Sequence, residues 1–296
     1  MALARSEPPD HKSIAATSPG AVASASRKSA RWSDLRLRVL SAAVLAPLAL
    51  GCIWIGGAAF AGLLGLITVG LSYEWLGLCR PPSSMLSALP FVALPLSVAL
   101  ADLGSPDFAL LVLAVATVAG VAVGRGLSPA RPLAFGIPYF GLAAVALVWL
   151  RRQPQSGGAN VIVLLLVVWA SDIGAYLVGR AIGGPRLAPS ISPGKTWSGA
   201  IGGLLAAAAV GLAASAVLRS GPVSARPAMF AALIGIVSQA GDLFESHLKR
   251  HFGVKDSGTM IPGHGGLLDR LDAVLTAAPV TALLALILGR GVIVWE

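Results

Sequence analysis

The stretch Pro227–Leu288, PAMFAALIGIVSQAGDLFESHLKRHFGVKDSGTMIPGHGGLLDRLDAVLTAAPVTALLALIL, decides the fold. Its two ends, Pro227 to Phe244 and Leu271 to Leu288, are apolar runs of the length that crosses a bilayer as a helix. Between and just inside them stand Asp242, Glu245, Lys249, Arg250, Lys255, Asp256, Asp269, Arg270 and Asp272, in a chain that is 56% hydrophobic and only 12% charged. A charge run of this kind is most often a solvated loop. Here the order of residues argues for more. On a helix Asp242, Glu245 and Lys249 share one face, as do Asp269 and Asp272, and the PGHGG turn lies between the two groups. Carboxylates converging from two helix ends, with cations and a glycine turn between them, suit a site for a divalent metal and phosphate, since magnesium takes oxygen ligands.

Outward from this stretch the same pattern repeats. Mean hydropathy of +0.80 over 296 residues marks a polytopic membrane protein, an all-α integral membrane helical bundle. Nine spans are expected: Leu35–Ile55, Ala58–Leu78, Leu86–Leu103, Phe108–Val123, Pro132–Leu150, Asn160–Val178, Trp197–Leu218, Pro227–Phe244 and Leu271–Leu288. The third and fourth are the shortest, and Pro90 and Pro95 should kink the third. Residues 1–31 read as a disordered cytoplasmic tail, 32–151 as amino-terminal membrane helices and 152–296 as a carboxy-terminal catalytic region. The first apolar run is a retained helix rather than a signal peptide, because it leads straight into a second span. Cys52 and Cys79 lie on different runs and read as small hydrophobes.

With the amino terminus cytoplasmic, seventeen of the 22 lysines and arginines fall on the inner side, leaving Arg151, Arg152, Arg219, Arg226 and Arg290 outside. This places both polar motif loops on the cytoplasmic face, and the expected location is the inner membrane of a bacterium. The net charge of +9 does not indicate nucleic acid, because the basic residues are spread along membrane borders; anionic headgroups and a polyphosphate are the simpler partners.

A second polar motif, Ala170–Gly199, reads ASDIGAYLVGRAIGGPRLAPSISPGKTWSG. Asp172 lies eight residues before Arg180, or about 12 Å into the helix. A carboxylate at such a depth costs about 2.5–3.5 kcal/mol on insertion scales, so it should face the bundle interior, either paired with Arg180 or as part of a site. Ile191 to Gly199 is expected to be a polar turn entering a helix, where free amides, hydroxyls and Lys195 suit a phosphate. On the residues alone a simple helix cap is the stronger reading. His247 and His251 have zinc spacing but no third soft ligand nearby. Glu74 is either an interfacial residue beside Tyr73 and Trp75 or a distant part of the site.

Ser246, Leu248, Lys249, Arg250, Lys255, Asp256, Gly258, Ile261, Pro262, His264, Gly265, Gly266, Asp269, Arg270 and Asp272 together resemble the long signature of the phosphatidate cytidylyltransferases, or CDP-diacylglycerol synthases. Ser192, Pro193, Lys195, Thr196 and Trp197 resemble the family's other segment, commonly SPKKTWEG, with Gly194 in place of its first lysine and Ser198 in place of its glutamate. The likeness covers Ala170 to Asp272; the amino-terminal spans match only in hydrophobic character. It implies transfer of the cytidylyl group of CTP to phosphatidate with release of pyrophosphate. It implies magnesium, with room for a second cation, held by Asp242, Asp269 and Asp272. Asp242, Asp269, Lys249 and Arg250 would be catalytic, and Asp172, Ser192, Lys195, Thr196, Lys255, His264 and Arg270 would bind substrate. Membrane lipid and a second copy of the chain are further expected partners. The alternatives are a CTP-dependent lipid kinase and an ion-coupled transporter using Asp172 and Asp242; the latter should carry pathway charges on both sides of the bilayer.

Overall fold

In a computed structural model the chain is described over residues 39–80, 84–123, 130–154, 156–218, 225–261, 263, 265–288 and 295. The tail, Leu35 to Arg38 of the first span, Arg125, Arg219, His264 and Arg290 therefore lie outside the described residues. The described residues form nine helices: α1 Val39–Ile55, α2 Gly57–Cys79, α3 Ser84–Asp102, α4 Pro106–Val123, α5 Ala130–Arg151, α6 Gly157–Ile182, α7 Trp197–Leu218, α8 Arg226–His251 and α9 Leu268–Ile287. Seven of them are long and apolar enough to cross a membrane; α1 as described and the apolar part of α3, Leu86–Asp102, are shorter. The fourth, short in sequence, qualifies. The protein is an all-α, multi-pass membrane protein.

Prolines within runs do not end these helices: Pro90 and Pro95 lie inside α3, Pro138 inside α5 and Pro279 inside α9. Glycine does end one. Gly56 separates α1 from α2 with φ 71°, a backbone conformation that L side chains resist. At this end of the bundle Arg151 donates to the carbonyls of Ile53 (2.5 Å) and Trp54 (2.9 Å), and Arg152 donates to the Asp102 carbonyl. Each arginine thus satisfies the unpaired carbonyls of a helix end.

One correction concerns the second motif. The segment read as a turn is a strand: β1, Arg186–Ala188, pairs antiparallel with β2, Ser192–Thr196, before α7 begins. Proline and glycine in SPGKT argue against a strand, but a two-stranded hairpin is all edge, where both are tolerated.

The helices that frame the hairpin pack through small residues. A Cβ on Gly202 would lie 2.4 Å from Val178, and one on Gly174 would lie 2.8 Å from the Gly202 carbonyl, so α6 and α7 approach backbone to backbone. The α8–α9 contact is equally close, since a Cβ on Gly241 would meet Thr276 Oγ1 at 2.0 Å. In lipid, where apolar burial supplies little drive, such close approach is what holds helices together. It fixes the carboxylates of α6, α8 and α9 relative to one another.

Candidate active site

A cavity of about 630 Å³ opens among α6, the hairpin, the start of α7, α8 and the start of α9. Its polar wall carries Asp172 and Arg180 from α6, Arg186 and Lys195 from the hairpin, Asp242 from α8, and Asp269 and Asp272 from α9. Asp172 comes from the apolar middle of a long helix, Asp242 and Asp269 from either side of the loop that joins α8 to α9. Gln239, one turn before Asp242, donates to Ser171 Oγ (3.1 Å) and the Ala200 carbonyl (3.2 Å), tying α8 to α6 and α7 under the cavity. Gly203 is needed there: a Cβ would lie 2.6 Å from the Gln239 amide nitrogen.

Two groups of ion pairs organise the charge. Lys195 Nζ meets Asp242 Oδ2 at 2.5 Å, both about a third exposed to the cavity. Behind the wall, Lys249 Nζ stands 2.7 Å from both Glu245 Oε2 and Asp269 Oδ1, with Glu245 wholly buried. The Asp269 carboxylate also accepts from the Ser257 N–H at 3.1 Å and the Gly266 N–H at 3.1 Å. Donors on three sides hold Asp269 in one orientation, and the loop needs glycine to reach it: a Cβ on Gly266 would lie 1.9 Å from Ser257 Oγ.

Thr196 is buried, and its hydroxyl accepts from the Gly199 N–H at 3.1 Å while pairing with Ser198 Oγ at 3.0 Å. This is an N-cap for α7. The cap reading and the cavity-lining reading therefore both apply to Thr196.

Glu74 resolves into a role that neither sequence alternative described. It is 4% exposed, and its oxygens accept from the N–H groups of Leu267 (2.7 Å) and Leu268 (2.9 Å) and from Ser257 Oγ (3.2 Å). A carboxylate from α2 thus caps the start of α9, where free amides and the helix dipole favour negative charge. Trp75, beside it, is buried edge-on against Phe140 and Phe252 and donates to the Pro132 carbonyl at 3.1 Å. The signal available in sequence was an acidic residue inside an apolar span.

Of the residues singled out above, Asp172, Lys195, Thr196, Asp242, Asp269 and Asp272 meet at the cavity, with Lys249 directly behind Asp269. Ser192, Arg250, Lys255 and Arg270 are not on its wall. Arg250 donates to the Val254 carbonyl at 3.2 Å, and Arg270 faces a second, apolar cavity. Arg186, Gln239 and Tyr176 line the site without having been picked out as site residues, since none is marked by charge clustering or by the motif's order. Asp172 does not pair with Arg180, and among the described residues no three acidic, histidine or cysteine side chains cluster closely enough to share one ion. Magnesium is ordinarily held by one or two carboxylates together with substrate phosphates and water. The residues fit that mode: Asp242 and Asp272 face the open cavity, whereas the Asp269 oxygens are largely occupied.

The chain matches the Cytidylyltransferase family over residues 36–288. It is 40% identical over 257 residues to the phosphatidate cytidylyltransferase of Brucella suis biovar 1 (strain 1330), covering 83% of this chain and 91% of that protein. It is 38% identical over 270 residues to the phosphatidate cytidylyltransferase of Pseudomonas aeruginosa, covering 87% of this chain and 99% of that one. The likeness therefore extends through the amino-terminal helices, where hydrophobic character alone had suggested it, and with α1 to α9 all inside the matched region this chain belongs to the cytidylyltransferase family.

Proposed function

We propose that this protein transfers the cytidylyl group of CTP to phosphatidate, giving CDP-diacylglycerol and pyrophosphate, at the inner membrane of a bacterium with the cavity open to the cytoplasm. The supporting observation is the cavity itself, in which carboxylates of α6, α8 and α9 face Arg180, Arg186 and Lys195 at one end of a membrane bundle, in a chain of this family. In the reaction an oxygen of the lipid phosphomonoester attacks the α-phosphorus of CTP, and the bond from that phosphorus to the β-phosphate bridging oxygen breaks. Both reactants are anions, so the work of the site is positioning and charge neutralisation; it needs no covalent intermediate.

Lys195, Arg180 and Arg186 bind the nucleotide phosphates. Asp242 and Asp272 would hold magnesium, with Asp172 on the same wall. When bound, the ion neutralises the triphosphate and stabilises the departing pyrophosphate. Lys249 is not on the cavity wall. It balances Asp269 and the buried Glu245, and so keeps the start of α9 in place. The N–H groups of Ser257 and Gly266, and Glu74, do the same from the other side.

Purified protein in detergent, given phosphatidate and CTP labelled at the α-phosphate, should place the label in lipid with magnesium and not after chelation. Label that stays in water while the γ-phosphate moves to lipid would identify a kinase instead. No lipid labelling in either position would defeat both readings.

A further inference from the structure

The polar cavity has two ends. Arg180, Arg186 and Lys195 stand at the hairpin end, while Asp172, eight residues before Arg180 on α6, lies about 12 Å deeper. Gln239 belongs to the deep end, because its amide nitrogen bonds the hydroxyl of Ser171, the neighbour of Asp172. Both amide hydrogens are committed: Nε2 donates to Ser171 Oγ at 3.1 Å and to the Ala200 carbonyl at 3.2 Å. A carbonyl can only accept, so the amide cannot turn over without setting oxygen against oxygen. Its own oxygen, Oε1, accepts from no described residue and is not sealed from solvent, and the space that Gln239 lines is the cavity. The deep end therefore presents a hydrogen-bond acceptor of fixed orientation. Tyr176, one turn after Asp172 on α6, has an exposed ring and is the one aromatic side chain on the cavity wall among the described residues.

We propose that Gln239 reads the nucleobase, its Oε1 accepting from the exocyclic amine of cytosine. The proposal rests on the function given above and adds the group that tells CTP from UTP. A nucleotide whose phosphates meet Lys195, Arg180 and Arg186 extends its base toward the deep end, where Tyr176 offers a ring face for stacking. Cytosine carries an amine donor at C4, and uracil carries a carbonyl acceptor at the same place. A freely turning glutamine would serve either base by reversing its amide. Gln239, held by Ala200, can offer uracil only an oxygen facing an oxygen, with both left unpaired. A polar site rejects a near-isostere in this way.

The test uses full-length protein in detergent with phosphatidate, magnesium and three triphosphates: CTP, UTP and the 2-pyrimidinone analogue that has hydrogen at C4. In the wild type kcat/KM should fall about tenfold from CTP to the analogue, the contribution of one hydrogen bond, and about tenfold or more again to UTP, where two oxygens oppose. Gln239→Met, similar in length but without the amide, should bring the three within about threefold of one another, chiefly by lowering the value for CTP. Looser helix packing alone would lower all three in proportion, so the ratio and not the activity is the readout. Gln239→Asn, whose oxygen is withdrawn by one methylene, is measured beside it and decides if the methionine variant aggregates on size exclusion. If both aggregate, the wild-type series decides: a value for UTP equal to or above that for the analogue overturns the assignment. If the wild type places no cytidine in lipid, the functional reading itself fails. If it does so but a folded variant keeps the wild-type ratio of CTP to UTP within twofold, only the assignment of Gln239 is overturned.

Discussion

Replacing Glu74 by alanine removes the acceptor of three donors at once: the N–H groups of Leu267 and Leu268 and the hydroxyl of Ser257. Leu268 is 1% and Ser257 7% exposed, so two of the donors lose access to a substitute. A hydrogen bond to a charged group contributes about 1.5–3 kcal/mol, and the three are not additive because the loop can relax toward the cavity; a total of about 3–5 kcal/mol is expected. Glu74→Gln keeps a carbonyl acceptor but loses the charge against the helix dipole and turns an amide donor toward an N–H, costing about 1–2 kcal/mol. At a shift of about 2–4 °C per kcal/mol, the alanine variant should melt roughly 6–20 °C lower and the glutamine variant roughly 2–8 °C lower. The assay is the apparent Tm in one detergent at one scan rate, since the unfolding of membrane proteins is often irreversible. Turnover is measured at saturating substrates far below both transitions. Because Asp269 and Asp272 lie within five residues of the capped amides, turnover should fall more than tenfold in the alanine variant, as small misplacements of reacting groups do. A Tm within about 3 °C of wild type together with normal turnover would refute the capping argument.

The other expectations concern the cavity wall. Asp242→Asn should lose most activity yet melt within about 2 °C of wild type, because its carboxylate is a third exposed and its partner Lys195 keeps access to solvent. Asp269→Asn should lose activity and also about 3–5 kcal/mol of stability, since it breaks a buried pair with Lys249; equal melting of the two variants would contradict their different burial. Lys195→Ala should raise KM for CTP about tenfold and lower turnover while the protein stays folded, and unchanged kinetics at low CTP would leave the hairpin a merely structural element. Gly266→Ala should cost about 1–3 kcal/mol or more, read as a lower Tm, because its Cβ has no room beside Ser257 Oγ.

Apolar length and the polar interruptions were legible, and so were the helices: Asn160–Val178 lies inside Gly157–Ile182, and Pro227–Phe244 inside Arg226–His251. That Asp172, Asp242, Asp269 and Asp272 would converge was legible too, because charge inside apolar sequence is costly and tends to be gathered in one place. Which face each motif residue takes was not. Arg270 adjoins Asp269 in sequence, but one step along a helix turns the side chain by about 100°, and that turn carries it away from the polar cavity wall, while Arg250 bonds the Val254 carbonyl instead. The partners of Glu74 lie 183 to 194 residues further along the chain, beyond the reach of any local pattern. The hairpin was missed because its strands are only three and five residues long and the proline and glycine of SPGKT read as turn residues.

The charge arrangement supports the proposed use of a divalent cation. Four carboxylates face the polar cavity, against Arg180, Arg186 and Lys195. Asp269 is balanced from behind by Lys249, and Asp242 by Lys195, while Asp172 and Asp272 belong to no salt bridge among the described residues. A triphosphate and a phosphomonoester entering such a space meet negative charge already in place. Two arginines cannot offset both substrates and the spare carboxylates, and in a partly desolvated cavity the imbalance is screened far less than in water. The surplus favours our proposal that the anions arrive with a divalent ion, for which the same carboxylates would be ligands. A lipid kinase would share that requirement, so the surplus speaks to phosphate chemistry in general, and the position of the label in the product separates the two. A transporter relay would instead spread its charges along a path through the membrane. Here they gather at one end, around the first turn of a helix whose start is pinned from behind by Glu74.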